Sequence, residues 1–139
     1  MHASLGWSRT VLALALSATA LLGAACSSNP AAPLAPFEPQ INNAPDNFQF
    51  QASGVTGVTW THNYVWSNSG TAASLNQSTT IDAGTAVVTV YDAVGTQVYS
   101  QSLSANGTFA TAAGVAGNWT IKVTFSAYDG TVNFRVQKQ

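Results

Sequence analysis

The side chains of this chain that could do chemistry are few, and their spacing narrows them further. Past the first twenty-six residues the single histidine is His62. An acyl-transfer site needs a nucleophile, a base and a group that orients the base. Serines are plentiful, but no G-x-S-x-G turn presents one, and His62 falls on the apolar side of its run. That favours a packed or rim imidazole over a general base. Asp46, Asp82, Asp92 and Asp129 could offer oxygens to Ca²⁺, yet no EF-hand loop or glycine–aspartate repeat gathers them. Each stands at the start of a turn, where a short carboxylate caps nearby backbone N–H groups. Capping is therefore the reading, with a weak Ca²⁺ site at one end of the domain as the alternative. The most organised set is Trp60, His62, Tyr64 and Trp66. Alternate positions of a strand share one face at intervals of roughly 6.6 to 7 Å. Sugar rings stack on such rows, which makes Trp60, Tyr64 and Trp66 the candidate ligand-binding residues, for a carbohydrate. The competing and favoured reading is hydrophobic core, because the opposite face offers only Val55 and Val65 as apolar cover. The strand is long enough for Trp66 or Tyr64 to protrude past a partner sheet. No catalytic residue, cofactor or metal-ligand set is assigned.

Composition agrees with this scarcity. Charged residues make up 6% of the 139, against a usual value of about 25%. The net charge of −1 excludes the basic surface that nucleic acid requires. A hydrophobic content of 46% excludes the profile of a disordered chain. One cysteine permits neither an internal disulfide nor a cysteine metal cluster. The length suits one domain. Most metalloenzyme and cofactor-dependent folds are thereby excluded.

The chain opens MHASLGWSRTVLALALSATALLGAAC. Arg9 precedes an apolar stretch of twelve residues from Val11 to Leu22. That is shorter than the roughly 20 residues of a spanning helix and fits a secretory signal. Small residues follow, and the lone Cys26 sits where cleavage would fall. Leu22-Gly23-Ala24-Ala25-Cys26 resembles the lipobox of bacterial lipoproteins, with Gly23 in place of the commoner Leu. The resemblance implies a signal peptide over 1–25 and diacylglycerol on the Cys26 thiol. It also implies a membrane anchor in the cell envelope, since two or more acyl chains hold a protein stably. Ser27 is not the Asp that marks inner-membrane retention in that family, so the outer membrane is the implied location. An ordinary secreted protein with a chance Cys is the alternative.

Residues 27–45 hold all five prolines: Pro30, Pro33, Pro36, Pro39 and Pro45. This spacing favours an extended polyproline-like path. At about 3.1 Å per residue it would reach on the order of 60 Å. With Cys26 the segment 26–45 is expected to be a disordered tether that lifts the domain off a lipid surface.

The elements that must position the aromatic row lie in residues 46–139, which contain no proline. Val, Thr and aromatic residues dominate, and no sustained helical period is present. Apolar and polar residues alternate through Phe48–Gln51, Val58–Trp66, Trp119–Ser126 and Thr131–Gln137. That is the mark of antiparallel sheets with one wet face. Strands are expected at 47–53, 56–66, 72–80, 85–91, 96–102, 107–112, 118–126 and 131–137. Asp82–Gly84, Asp92–Gly95, Asn106-Gly107 and Asp129-Gly130 are the turn signals between them, the last two as short hairpins. Lys122, Arg135 and Lys138 fall on outward faces of the last two strands, as a solvated surface. The expected fold is all-β: an antiparallel, jelly-roll-like β-sandwich of about eight strands, after a signal helix and a disordered Pro-rich linker.

VVTVYDAVGTQVYS, NGTF, AGNWTIKVTF and DGTVNFRV, over residues 81–137, resemble the bacterial pre-peptidase C-terminal domain and related jelly-roll modules. The resemblance implies an accessory extracellular module with no catalytic residues to carry over. The combined expectation is a lipid-anchored envelope β-sandwich, not an enzyme, with a structural or protein-binding role. Its partners would be the membrane, through the anchor, and an envelope protein or glycan. The alternative is a carbohydrate-binding module using the Trp60–Trp66 row.

Overall fold

Two strands of 22 residues each carry the molecule; three of the other strands pair with one of them directly, and two are attached through those. The structure, a computed structural model, describes residues 32–139. The signal helix and Cys26 lie outside the described residues. The strands are β1 (Gln40–Ala44), β2 (Asn47–Asn68), β3 (Ala73–Gln77), β4 (Thr80–Tyr91), β5 (Gln97–Ser102), β6 (Gly107–Ala110) and β7 (Gly117–Lys138). All pairings are antiparallel, and β2 and β7 pair along their whole lengths, from Asn47 opposite Gln137 to Asn68 opposite Gly117. β1 joins the first part of β2, β3 the last part of β7, and β4 the earlier part of β7. β5 pairs with β4, and β6 with β3.

This single sheet folds over on itself, which makes a sandwich from one hydrogen-bonded ladder. One layer holds β1, the start of β2, the end of β7, β3 and β6. The other holds the end of β2, the start of β7, β4 and β5. Ring contacts show that the layers face each other: Phe48 lies 5.2 Å from Tyr64, and Phe50 lies 6.3 Å from Phe125. Strands that pass from one layer to the other do so through bulges.

The sequence Ser53-Gly54-Val55-Thr56-Gly57-Val58 makes the bend in β2. Gly54 and Gly57 both have φ of 63°, and the ladder steps from Ala52 to Val55 to Val58. Each step inserts one extra residue, which turns the following side chains to the opposite face. Two insertions cancel. Phe48, Phe50 and Ala52 point inward before the bend, and Tyr64 and Trp66 are again buried after it. β7 bends at the same level at Ala127 (φ 43°) and β4 at Gly84 (φ 69°). A Cβ at Gly84 would stand 2.2 Å from the Ala127 carbonyl oxygen, so only glycine lets β4 approach β7 here.

The all-β sandwich expectation is met, while several boundaries are corrected. The strands expected at 47–53 and 56–66 are one strand, as are those at 118–126 and 131–137. Asp129-Gly130 is not a hairpin but lies inside β7. Asn106-Gly107 leads from β5 into β6, which pairs with β3 in the other layer. Asp92–Gly95 does close a hairpin, between β4 and β5. The common reason is that a residue with positive φ serves a bulge as well as a turn. Such a residue marks where the backbone kinks, not whether the chain reverses.

The tether is also corrected over its second half. Leu34 is fully buried, Ala35–Phe37 form a 3₁₀ turn, and Gln40–Ala44 pair with Asn47–Gln51. Phe37 and Ile41 pack against the core with Leu34. Burial of these three apolar side chains outweighs the extended preference of the prolines. Pro36 is accommodated in the first turn of the 3₁₀ segment, and Pro39 and Pro45 flank the edge strand β1.

Candidate functional site

The end of β2, past the bend, carries the aromatic row, and burial divides it. Trp66 is fully buried; its Nε1–H donates to the Ala44 carbonyl at 3.1 Å, and its ring meets Trp119 edge-on at 6.1 Å. Tyr64 is buried against Phe48 and Phe50, and burial pushes its phenol well above the ordinary value of 10. Neither ring is presented to a ligand. His62 and Trp60 are half-buried, stacked at 5.0 Å with their planes 24° apart. The exposed end of the row is therefore Trp60–His62, not Tyr64 or Trp66. The turn from β1 into β2 closes over Trp66, whereas the glycine bend leaves the other end open.

The His62 ring lies between Trp60 and Tyr64, 4.7 Å from the latter. Tyr99 and Tyr128 have phenols pushed up to about 12, both by burial and Tyr128 also by the charge of Asp82. Both donate hydrogen bonds, Tyr99 to Gln77 Oε1 at 2.7 Å and Tyr128 to the Thr80 carbonyl at 2.8 Å. Protonated at neutral pH and bonded inward, they serve the fold.

Asp46, Asp92 and Asp129 accept backbone N–H groups, mostly from distant segments, while Asp82 and Asp129 lie inside β4 and β7 rather than at turns. Asp92 Oδ1 accepts from the N–H of Val94 (3.1 Å) and Thr96 (2.8 Å) and Oδ2 from that of Val115 (2.9 Å). Burial alone would raise its pKa; the N–H groups of Val115, Thr96, Val94 and Gly95 outweigh that and hold it below 3.8. Asp46 accepts from the N–H and hydroxyl of Ser69 at 2.7 and 2.8 Å, with Lys138 Nζ at 3.4 Å. The Ser69 N–H foremost, then its hydroxyl and Lys138, lower the Asp46 pKa. Asp129 accepts from the Gly57 N–H across the bend. Among the described residues no three of His, Cys, Asp or Glu converge on one point.

A third feature is invisible in any one stretch of sequence. On the outer face of the β1–β2–β7–β3–β6 layer, Asn42, Gln49, Arg135, Asn76 and Thr108 stand opposite one another across five strands. One neighbouring row is Gln40, Gln51 and Asn133; the other includes Asn47, Gln137 and Ser74. Arg135 Nη2 donates to Gln49 Oε1 at 3.0 Å, and Asn76 Nδ2 to Thr108 Oγ1 at 3.0 Å. A depression of about 270 Å³ is centred on Arg135, and Gln49 joins it to a second hollow beside Gln40 and Asn42. The polar alternation of each strand was legible, and Arg135 was expected to be merely solvated. Register alone brings these side chains into line. No protein-family model, curated protein or solved structure matches the chain.

Proposed function

We propose that this chain is a lipid-anchored, non-catalytic module of the bacterial cell envelope, with a structural or protein-binding role. The observation that supports it best is how the body uses its reactive groups. Asp46, Asp92 and Asp129 accept backbone N–H groups, the phenols of Tyr99 and Tyr128 bond inward, and His62 is stacked on Trp60 and meets Tyr64 edge-on. Cys26 carries the anchor. With Leu34 seated in the core, seven residues, or eight Cα-to-Cα steps, separate lipid from body, a reach of at most about 29 Å. The sandwich is held close to the lipid surface, at half or less of the distance a free tether to residue 45 would allow. Among the described residues no helix is long and apolar enough to cross a membrane.

Metabolic labelling with a palmitate analogue tests this. Label on the wild-type protein and none on Cys26→Ala is expected; equal labelling of the two overturns the anchor. The second reading, a carbohydrate module on the aromatic row, is left with Trp60 and His62 as its platform.

A further inference from the structure

We propose that the outer face of the β1–β2–β7–β3–β6 layer binds an extended anionic polysaccharide, laid across the strands along the row Asn42–Gln49–Arg135–Asn76–Thr108. The inference goes beyond the structural or protein-binding role proposed above by naming a polysaccharide ligand and a surface for it, and it rests on that reading only in taking the domain as a non-catalytic envelope module.

The composition of the face is the first argument. Asn is depleted in strands because it does not favour a pleated backbone, and Gln brings no branched bulk to pack there. The outer face of the other layer follows the rule, with Thr61, Thr124, Val87 and Thr89 among its residues. The face around Arg135 is filled instead by side-chain amides. Each amide offers both a donor and an acceptor, which is what a sugar hydroxyl needs on its two sides.

Spacing is the second argument. Adjacent strands lie about 4.8 Å apart, so a row crossing five of them is about 19 Å long. One pyranose of a β-1,4-linked chain advances by close to one strand spacing, so four rings can each meet a different strand. The hollows at Arg135 and at Gln40–Asn42 lie along this line, joined at Gln49.

Charge is the third. Arg135 is the one charged side chain in the three rows, and no carboxylate in them compensates it. Its bond to Gln49 uses one donor of the guanidinium and orients the planar fork, leaving donors for a ligand carboxylate. Asn76 is held by Thr108 in the same way. The face is thus ordered before ligand arrives, which reduces the entropy lost on binding.

The test is calorimetric titration of the full mature protein, in detergent and 0.15 M salt, with a β-1,4-linked mannuronate tetramer and with cellotetraose as the neutral counterpart. The anionic tetramer is expected to bind and cellotetraose to bind at least tenfold more weakly. Arg135→Gln, at an exposed site with an unchanged melting temperature expected, should weaken mannuronate binding tenfold or more. Trp60→Ala should leave it unchanged. Absence of mannuronate binding overturns the proposal, as does equal binding of cellotetraose. Binding lost in Trp60→Ala but kept in Arg135→Gln also overturns it, by moving the site to the aromatic end of β2. Labelling at Cys26 is read separately, so failure of the anchor and failure of this face are distinguishable.

Discussion

Replacing Gly84 by alanine, with Gly54→Ala beside it, measures what the bend requires of the sequence. Both glycines have a left-handed φ, 69° and 63°. An L-residue in that region costs about 1–2 kcal/mol. Alanine also restricts the unfolded chain, which returns about 0.4–1 kcal/mol. At Gly54 a new Cβ meets nothing within 4 Å, so Gly54→Ala should cost about 1 kcal/mol. At Gly84 the Cβ would stand 2.2 Å from the Ala127 oxygen and 2.3 Å from the Ser126 oxygen. Those atoms belong to the backbone of β7 and cannot swing aside as a side chain would. β4 must move away from the spine strand, and overpacking of this kind adds roughly 1–3 kcal/mol. Gly84→Ala should therefore cost about 2–4 kcal/mol in all. Urea unfolding followed by tryptophan fluorescence resolves the difference, since slopes of about 1–3 kcal/mol/M turn it into a midpoint gap near 1 M. Equal midpoints for the two variants would refute the claim that close approach of β4 and β7, rather than backbone torsion alone, demands glycine at 84.

Leu34→Ala should lower stability by about 2–5 kcal/mol, since a fully buried leucine leaves a cavity; a free tether at this position would show no change in the urea midpoint. Trp66→Ala should cost about 3–5 kcal/mol and Trp60→Ala markedly less, because one indole is enclosed and the other half-buried; the same denaturation series checks the order. Asp92 and Asp46 have folded pKa values below the ordinary 3.8. Their contribution is present above that value and is lost as pH falls through the lower folded values. Melting temperature should therefore hold down to about pH 4 and fall below it, and Asp92→Asn should flatten that acid limb.

Alternation made the fold class legible. Phe48-Phe50, Trp119-Ile121-Val123-Phe125 and Val132-Phe134-Val136 each declare an apolar face, and all of them are buried. The hairpin at Asp92–Gly95 was legible because its turn residues close a loop between neighbours in sequence. Gly84 and Gly130 were legible as turn residues but not as bends within strands, and Gly57 fell inside an expected strand. Whether a kinked strand reverses or continues depends on which strand pairs beyond it, and at the bend of β2 the partner residue in β7 lies 70 residues away, Val58 opposite Tyr128. Leu34 and Ile41 were masked by the prolines around them. Their packing depends on the core that forms when the layers close and, for Ile41, on the pairing of β1 with β2.

Local side-chain chemistry, by itself, determined that the body is built of strands with one apolar face, that Asp92–Gly95 closes a hairpin, and that Asp46 and Asp92 accept backbone N–H groups. Those properties follow from each residue's size, polarity and torsional freedom, which travel with the residue. Tertiary structure decided which end of the aromatic row reaches water and that Leu34 belongs to the core. It also decided that Arg135 stands in a line of amides drawn from five strands. Such facts depend on pairing register between distant segments, and register is set by the joint burial of all the strands at once.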